Sequence, residues 1–339
     1  MRVFTPLIII VLLLSGCNSS PQGRKVLSFK GSTMGTTYLV KVVTDKTSPD
    51  SKAMQKSIED SLELVNDRLS NWRPKSEISN FNNSQNTQPV PISSDFAVVM
   101  KESFRIHELS EGRFDVTLSP LIRLWGFGPA KNKTTIPGNE DIAAAKVLVG
   151  MEKLLVLSEN PVTLMKKAPA VTVNLSAIAK GYGVDQVARA VEKHGAKNYL
   201  VEIGGDLYSK GLNARGEPWS IGIEKPDATG RAIQKIVKIS NLGMATSGDY
   251  RNYVEKDGKR YSHIIDPATA RPITHNLASV TVLSENGMRA DGLATALFVL
   301  GEKDGMRIAE KNNIAAFFIV REGNKFVETS SSRFKELTK

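Results

Sequence analysis

The chain has 339 residues, 41% of them hydrophobic and 24% charged, with a formal net charge of +10. That length and balance support a large buried core, as one big domain or two, and exclude a disordered or fibrous polypeptide. A single cysteine excludes an internal disulfide framework and a cysteine-built zinc site. The basic residues are scattered along the chain, so the excess suits solubility, anionic headgroups or a small polyanionic substrate rather than nucleic acid.

The N-terminus carries Met1-Arg2, an apolar run from Leu7 to Leu14, and then Leu14-Ser15-Gly16-Cys17. This is a secretory signal ending in a lipobox, and it resembles bacterial lipoproteins whose cysteine is acylated after cleavage. The expected organisation is a signal peptide over residues 1–16, a lipidated tether over 17–25 beginning at Cys17, and one domain over 26–339. The apolar run is too short to span a bilayer.

Strands are expected at Val26–Phe29 and Thr36–Val43, around Gly31-Ser32-Thr33-Met34-Gly35, whose glycines suggest a bulge or a close backbone approach. Ile58, Leu62, Val65 and Leu69 place an amphipathic helix from Ser51 to Leu69. It delivers Trp72, either a lid over the core or a stacking surface, ahead of the stop at Pro74. A second helix is expected to start at Asp95 as cap and end at Gly112. Phe114–Leu118 alternates like a strand, and Pro120–Gly128 has a helical turn with a glycine exit. Lys131 to Gly138 reads as a loop, Glu140–Val149 as a short helix, and Leu154–Leu157 and Ala170–Leu175 as strands.

Ser176 is the expected cap of a helix from Ala177 to about Lys193, with Gly181 and Gly183 inside it suggesting close packing or ligand approach. The small residues at its start leave a helix N-terminus open to an anion. Tyr199–Ile203 is a buried strand closed by Gly204-Gly205. From Trp219 strands dominate, with a hairpin turning at Asp257-Gly258 and Tyr261–Pro267 running into a turn. Ser279–Leu283 is a strand, and Glu285-Asn286-Gly287 turns into a helix that stops at Gly301. A further helix near Lys303–Lys311, the strand Ile314–Val320 and a hairpin at Glu322-Gly323-Asn324 follow. Strands and helices arrive in uneven blocks, which predicts an α+β fold without a domain boundary.

The four histidines show no metal-ligand spacing, and the chain has no dinucleotide fingerprint, P-loop or nucleophile elbow. What remains is oxygen chemistry. Asp291 and Thr295 are four apart on one helix face, a carboxylate and a hydroxyl that begin a site for a hard cation such as Mg²⁺. The same residues equally describe an N-terminal-turn aspartate and a threonine bonded to its own helix. With His263 beside an Asp-Pro turn, and glycine-bounded bends carrying Met34 and Trp72, the set suits Mg²⁺-assisted chemistry on a phosphate ester of an aromatic cofactor.

Eight segments in order resemble the ApbE family, the FAD:protein FMN transferases. They are Gly31–Thr36, Phe114–Thr117, Leu124–Gly128, Ala177–Tyr182, Glu202–Asp206, Ala245–Gly248, Ser262–Pro267 and Ala290–Thr295. The resemblance implies one α+β, T-fold-like catalytic domain with mixed or antiparallel sheets and packed helices. It implies Mg²⁺-dependent transfer of the FMN half of FAD onto a threonine hydroxyl of an exported acceptor, with AMP released. Acceptors would be subunits of Na⁺-pumping or related electron-transfer complexes. The metal ligands would be Asp291, Thr295 and the Ala177 carbonyl. FAD contacts would fall on Met34, Trp72, Arg113, Phe114, Asp115, Asn174, Lys180 and Ile265. His263 is the expected general base, with Asp249 in reserve. The location implied is the periplasmic side of the inner membrane, through lipid on Cys17. The alternative activities are FAD hydrolysis to FMN and AMP, or flavin binding without catalysis.

Overall fold

The computed structural model describes residues 24–44, 50–127, 136–227, 232–249, 253–256, 259–323 and 325–339. The signal peptide, the lipobox with Cys17 and nearly all of the tether lie outside the described residues, as do Gly128, most of the loop at 131–138, the Asp257-Gly258 turn and Asn324.

Eight strands form the main sheet: β1 (Lys25–Thr33), β2 (Thr36–Thr44), β3 (Tyr199–Ile203), β4 (Asp206–Lys210), β5 (Leu242–Gly248), β6 (Leu277–Ser284), β7 (Ala315–Glu322) and β8 (Lys325–Ser330). Their order in the sheet is their order in the chain, and every neighbouring pair is antiparallel. Four long helices accompany them: α1 (Ser51–Leu69), α2 (Ser94–Leu109), α3 (Ala179–Lys193) and α4 (Gly287–Lys311). This is the expected α+β architecture, with the strand pairs antiparallel throughout the described residues.

Side-chain alternation gives the sheet two apolar faces. On one, Val40, Val42, Tyr199, Val201 and Ile203 meet Met54, Ile58 and Leu62 of α1 and Val184, Val187 and Val191 of α3. The same face continues where Val280, Val282 and Phe318 meet Leu293 and Leu297 of α4 and Phe96 and Met100 of α2. On the opposite face Leu200, Leu207, Met244, Phe317 and Ile319 lie beneath a hairpin of Trp219–Glu224 and Ile233–Ile239, with Phe334 of the helix Ser332–Leu337. Sequestering side chains of this size stabilises the fold by roughly 1.5–3 kcal/mol each. A satellite cluster of Leu121, Trp125, Phe127, Ile142 and Ile265 sits beside the main core.

Several local expectations are corrected. Phe114–Leu118 is a turn, because the Asp115 carboxylate accepts the Thr117 N–H (2.6 Å) and hydroxyl (2.5 Å), closing the backbone on itself. Ala170–Leu175 is not a strand; asparagine side chains take the place of a neighbouring strand, as described below. Ser93, not Asp95, caps α2 by accepting the Phe96 N–H. Gly301 does stop regular helix, at φ 77° and ψ −175°, but α4 resumes beyond it to Lys311 as a kinked continuation. Short elements at Glu77–Asn83, Val162–Lys166 and Ser332–Leu337 carry too few residues for a periodic signal.

Candidate active site

The β1–β2 turn, the β3–β4 turn, the C-terminus of α1 and the N-terminus of α3 converge at one end of the sheet. Met34 and Gly35 form a two-residue hairpin with φ of 50° and 72°. Positive φ is easy for glycine and strained for methionine, and such strain concentrates at functional positions. The Met34 side chain passes over α3 at Gly183, where a Cβ would come within 2.7 Å of its methyl carbon. Two residues earlier α3 meets α4: a Cβ on Gly181 would lie 2.2 Å from the Gly287 carbonyl oxygen and 2.8 Å from the Asp291 Cβ. The two glycines inside α3 therefore admit a methionine and a second helix.

That crossing builds the centre of the site. α3 begins at Ala179 without a side-chain cap of its own, so Ser176 does not serve as one. Asp291 reaches across from α4 instead, its Oδ2 accepting the Gly181 N–H at 2.9 Å. Gly181 is the third residue of α3, so its N–H has no acceptor within the helix and Asp291 supplies one; Ala177 precedes the helix, and its carbonyl stands outside the ladder. Asp185, one turn on, returns the favour by accepting the N–H groups of Gly287 (2.7 Å) and Met288 (2.9 Å). Each helix start is thus held by an aspartate of the other.

Asp291 is only 5% exposed, and burial, reinforced by the neighbouring Asp206, pushes its carboxyl well above the ordinary carboxylate range, against the pull of Lys180. Lys180 pairs with Asp206, whose side chain is 3% exposed while the lysine's remains one-third exposed to the cleft. Burial acts to lower the Lys180 ammonium, but Asp206 and Asp291 prevail and hold it above its usual value. The Thr295 hydroxyl lies 3.2 Å from that of Ser247 on β5.

A cavity of about 270 Å³ gathers Arg113, Phe114, Asp115, Asn174, Ala177, Lys180, His263, Ile265, Asp291 and Thr295 around one space. Met34 and Trp72 line an adjoining cavity of about 260 Å³ that shares Ser176 and Lys180 with the first. Every anticipated site residue is therefore brought into one continuous cleft, except Cys17, which lies outside the described residues, and the reserve base Asp249, which lines neither cavity. Their conditions differ. Trp72 is 62% exposed, so it lines the cleft rather than covering core. Phe114 and Ile265 are buried and meet the cavity only at an edge. Asp115 is committed to its turn, and burial raises its carboxyl against the bonds from Thr117. Arg113 is paired with Asp266 at 2.7 Å. His263 stands edge-to-face with Phe127, ring centroids 6.4 Å apart. Asp249, the reserve base, is paired with Arg321 at 2.6 Å.

Sequence reasoning missed the supports. The segment Val171–Ile178 carries Asn174, Ser176 and the Ala177 carbonyl, yet belongs to no strand. Asn82 accepts the Val173 N–H (2.7 Å) and donates to its carbonyl (2.8 Å), and Asn71 donates to the same carbonyl (2.8 Å). Nothing in the spacing of lone asparagines announces this. Asp206 was legible only as the end of the Glu202–Asp206 segment, and Ser247 as part of Ala245–Gly248.

The donor set tests whether Mg²⁺ fits. A buried carboxylate, a hydroxyl and a backbone carbonyl that precedes its helix are all hard oxygen donors, the kind that cation takes. No group of three or more His, Cys, Asp or Glu among the described residues competes as a metal cluster. The residues fit.

The chain is an α+β protein with an antiparallel main sheet and a cleft lined by a lysine, oxygen donors and, where the two cavities adjoin, Met34 and Trp72. A sequence profile described as the ApbE family matches residues 34–318, and the chain belongs to that family. It is 48% identical to the FAD:protein FMN transferase of Haemophilus influenzae over 331 residues, covering 96% of this chain and 95% of that protein. The solved flavin transferase ApbE from Vibrio cholerae superposes with a TM-score of 0.86 at 45% identity, covering 93% of this chain and 99% of that one. The apo flavinyl transferase ApbE of Pseudomonas stutzeri gives 0.85 at 41% identity, covering 93% and 97%.

Proposed function

We propose that this chain is an FAD:protein FMN transferase that moves the FMN half of FAD onto a threonine hydroxyl of an exported acceptor protein. The observation that carries this reading is the single cleft in which Ala177, Lys180, Asp291, Thr295 and His263 surround one cavity. Asp291, Thr295 and the Ala177 carbonyl would hold Mg²⁺, which when bound would supply Lewis-acid stabilisation of the departing phosphate.

The remaining steps belong to the chain. Lys180, steadied by Asp206, places a cation beside the pyrophosphate, and Met34 and Trp72 offer polarizable and aromatic surfaces to a ring system. The acceptor hydroxyl forms a bond to the FMN phosphorus as the pyrophosphate P–O bond breaks and AMP leaves. A neutral hydroxyl is a poor nucleophile, so His263 takes its proton. Acylation at Cys17 would keep the enzyme on the periplasmic side of the inner membrane, within reach of exported subunits of electron-transfer complexes.

Incubation with FAD, Mg²⁺ and an exported acceptor domain, followed by in-gel flavin fluorescence, tests the reading. Transfer gives a fluorescent acceptor band. Free FMN and AMP without that band indicates hydrolysis instead, and unchanged FAD indicates binding alone; either would overturn the proposal.

A further inference from the structure

The cleft and the point where the chain enters the domain lie at opposite ends of the sheet. Lys25 opens β1 and pairs with Thr44 at the end of β2, while the Met34-Gly35 turn closes the same hairpin beside the cleft. β1 has nine residues, so the two ends stand roughly 30 Å apart. The other elements share this polarity. α1 starts at Ser51 near the entry end and finishes beside Trp72, whereas α3 starts at the cleft and finishes at Lys193. Ser57 of α1 and His194 after α3 are joined at 2.8 Å, and the Val43 N–H bonds the Asn198 carbonyl at 2.8 Å.

This entry end carries Lys25, Lys52, Lys56, Lys193, Lys197 and Lys210. Lys56 is paired with Asp60 (2.7 Å) and Lys210 with Glu192 (2.5 Å). Asp50 is engaged as the cap of α1, accepting the N–H groups of Lys52 and Ala53. Lys25, Lys52, Lys193 and Lys197 are exposed and form no ion pair among the described residues. From Cys17 to Arg24 the chain can reach at most about 25 Å. An acyl group on Cys17 therefore brings these four ammonium groups to the headgroups before any other part of the domain.

We propose that this lysine-bearing end seats on anionic lipid headgroups, holding the cleft at the far pole and facing away from the bilayer. The inference rests on reading Cys17 as acylated. Long-range attraction between unpaired lysines and an anionic surface adds a second signal to a lipid anchor and gives the domain one orientation. The acceptor hydroxyl must then be presented roughly 30 Å or more from the membrane surface.

The test uses the full chain, made with its own leader and reconstituted into vesicles of phosphatidylcholine alone or mixed with phosphatidylglycerol. Flotation reports attachment, and lysine acetylation mapped by mass spectrometry reports orientation. The expected result is flotation with both vesicles, and acetylation of Lys25, Lys52, Lys193 and Lys197 slowed about fivefold on the anionic ones. Salt at about 0.5 M should restore the rates, because it screens the attraction. Lys75 and Lys303, at other surfaces, should label alike on both. The triple variant Lys52→Glu, Lys193→Glu, Lys197→Glu should lose the protection while keeping FAD turnover in detergent. Flotation with both vesicles but equal labelling would overturn the proposal and leave the anchor standing. Flotation with anionic vesicles alone would support the basic end and sink the anchor; flotation with neither would sink both.

Discussion

Asp291 has two duties, one to its fold and one to its chemistry, and they can be separated. Its Oδ2 holds the Gly181 N–H, while its charge sits buried beside Asp206 and Lys180. Asp291→Asn keeps an acceptor for that N–H and removes the charge, so it should fold with little change in Tm. Mg²⁺-dependent FAD turnover should fall roughly a hundredfold or more, the scale of losing a major charge-stabilising group; full turnover would refute the metal assignment. Asp185 gives a pH signature. Burial pushes its carboxyl from 3.8 up to about 6, against the two N–H bonds it accepts. The folded state then binds more protons than the unfolded one between these values, so stability is fully present below pH 4 and lost as pH rises through 6. That displacement corresponds to roughly 3 kcal/mol. Asp185→Asn lacks the ionisation, so the variant's Tm relative to the parent should improve from pH 4 to pH 7. A constant difference across that range would contradict the account. The residue types at 185 and 291 were readable in the sequence. Their exchange of helix starts was not, because it joins groups about a hundred positions apart.

At the scale of elements, the crossing of α3 and α4 depends on the absence of side chains. Gly181→Ala would press a methyl into the Gly287 carbonyl and Asp291, and should destabilise by about 1–3 kcal/mol, measured by chemical denaturation. An unchanged midpoint would mean the helices are not in contact there. Asn82→Ala would strip the Val173 N–H of its acceptor and leave the Val173 carbonyl with Asn71, and should cost about 1–3 kcal/mol. It should also weaken FAD binding in a fluorescence titration, since the segment bearing Ala177 would lose its mooring; unaltered affinity would detach Asn82 from the site. Strands and amphipathic helices with clear periods, such as α1 and β3, were legible from their patterns. Phe114–Leu118 and Ala170–Leu175 misled because apolar alternation describes what is buried, not what the backbone bonds to. In both, Asp or Asn side chains satisfy the backbone and replace the ladder.

For the whole molecule, eight strands in chain order give the sheet a simple polarity, with the cleft at one end and the chain's entry at the other. The α+β class followed from the uneven blocks of strands and helices. The strand order did not, because four of the connections run through helices, hairpins or loops whose folding back is set by the two apolar faces of the sheet. The site was legible mainly as eight segments in a familiar order, and the structure adds a physical reason they belong together: six contribute residues to one cleft, while Asp206 and Phe127 of the other two support Lys180 and His263 there. The central claim is that this cleft joins FMN to a protein hydroxyl. Its most direct measurement is intact-mass and peptide analysis of an acceptor protein incubated with the enzyme, FAD and Mg²⁺, alongside AMP quantification. The account predicts a gain of one FMN less water on a threonine, one AMP released per flavin attached, and neither when that threonine is valine. AMP released with FMN left free and the acceptor mass unchanged would contradict it.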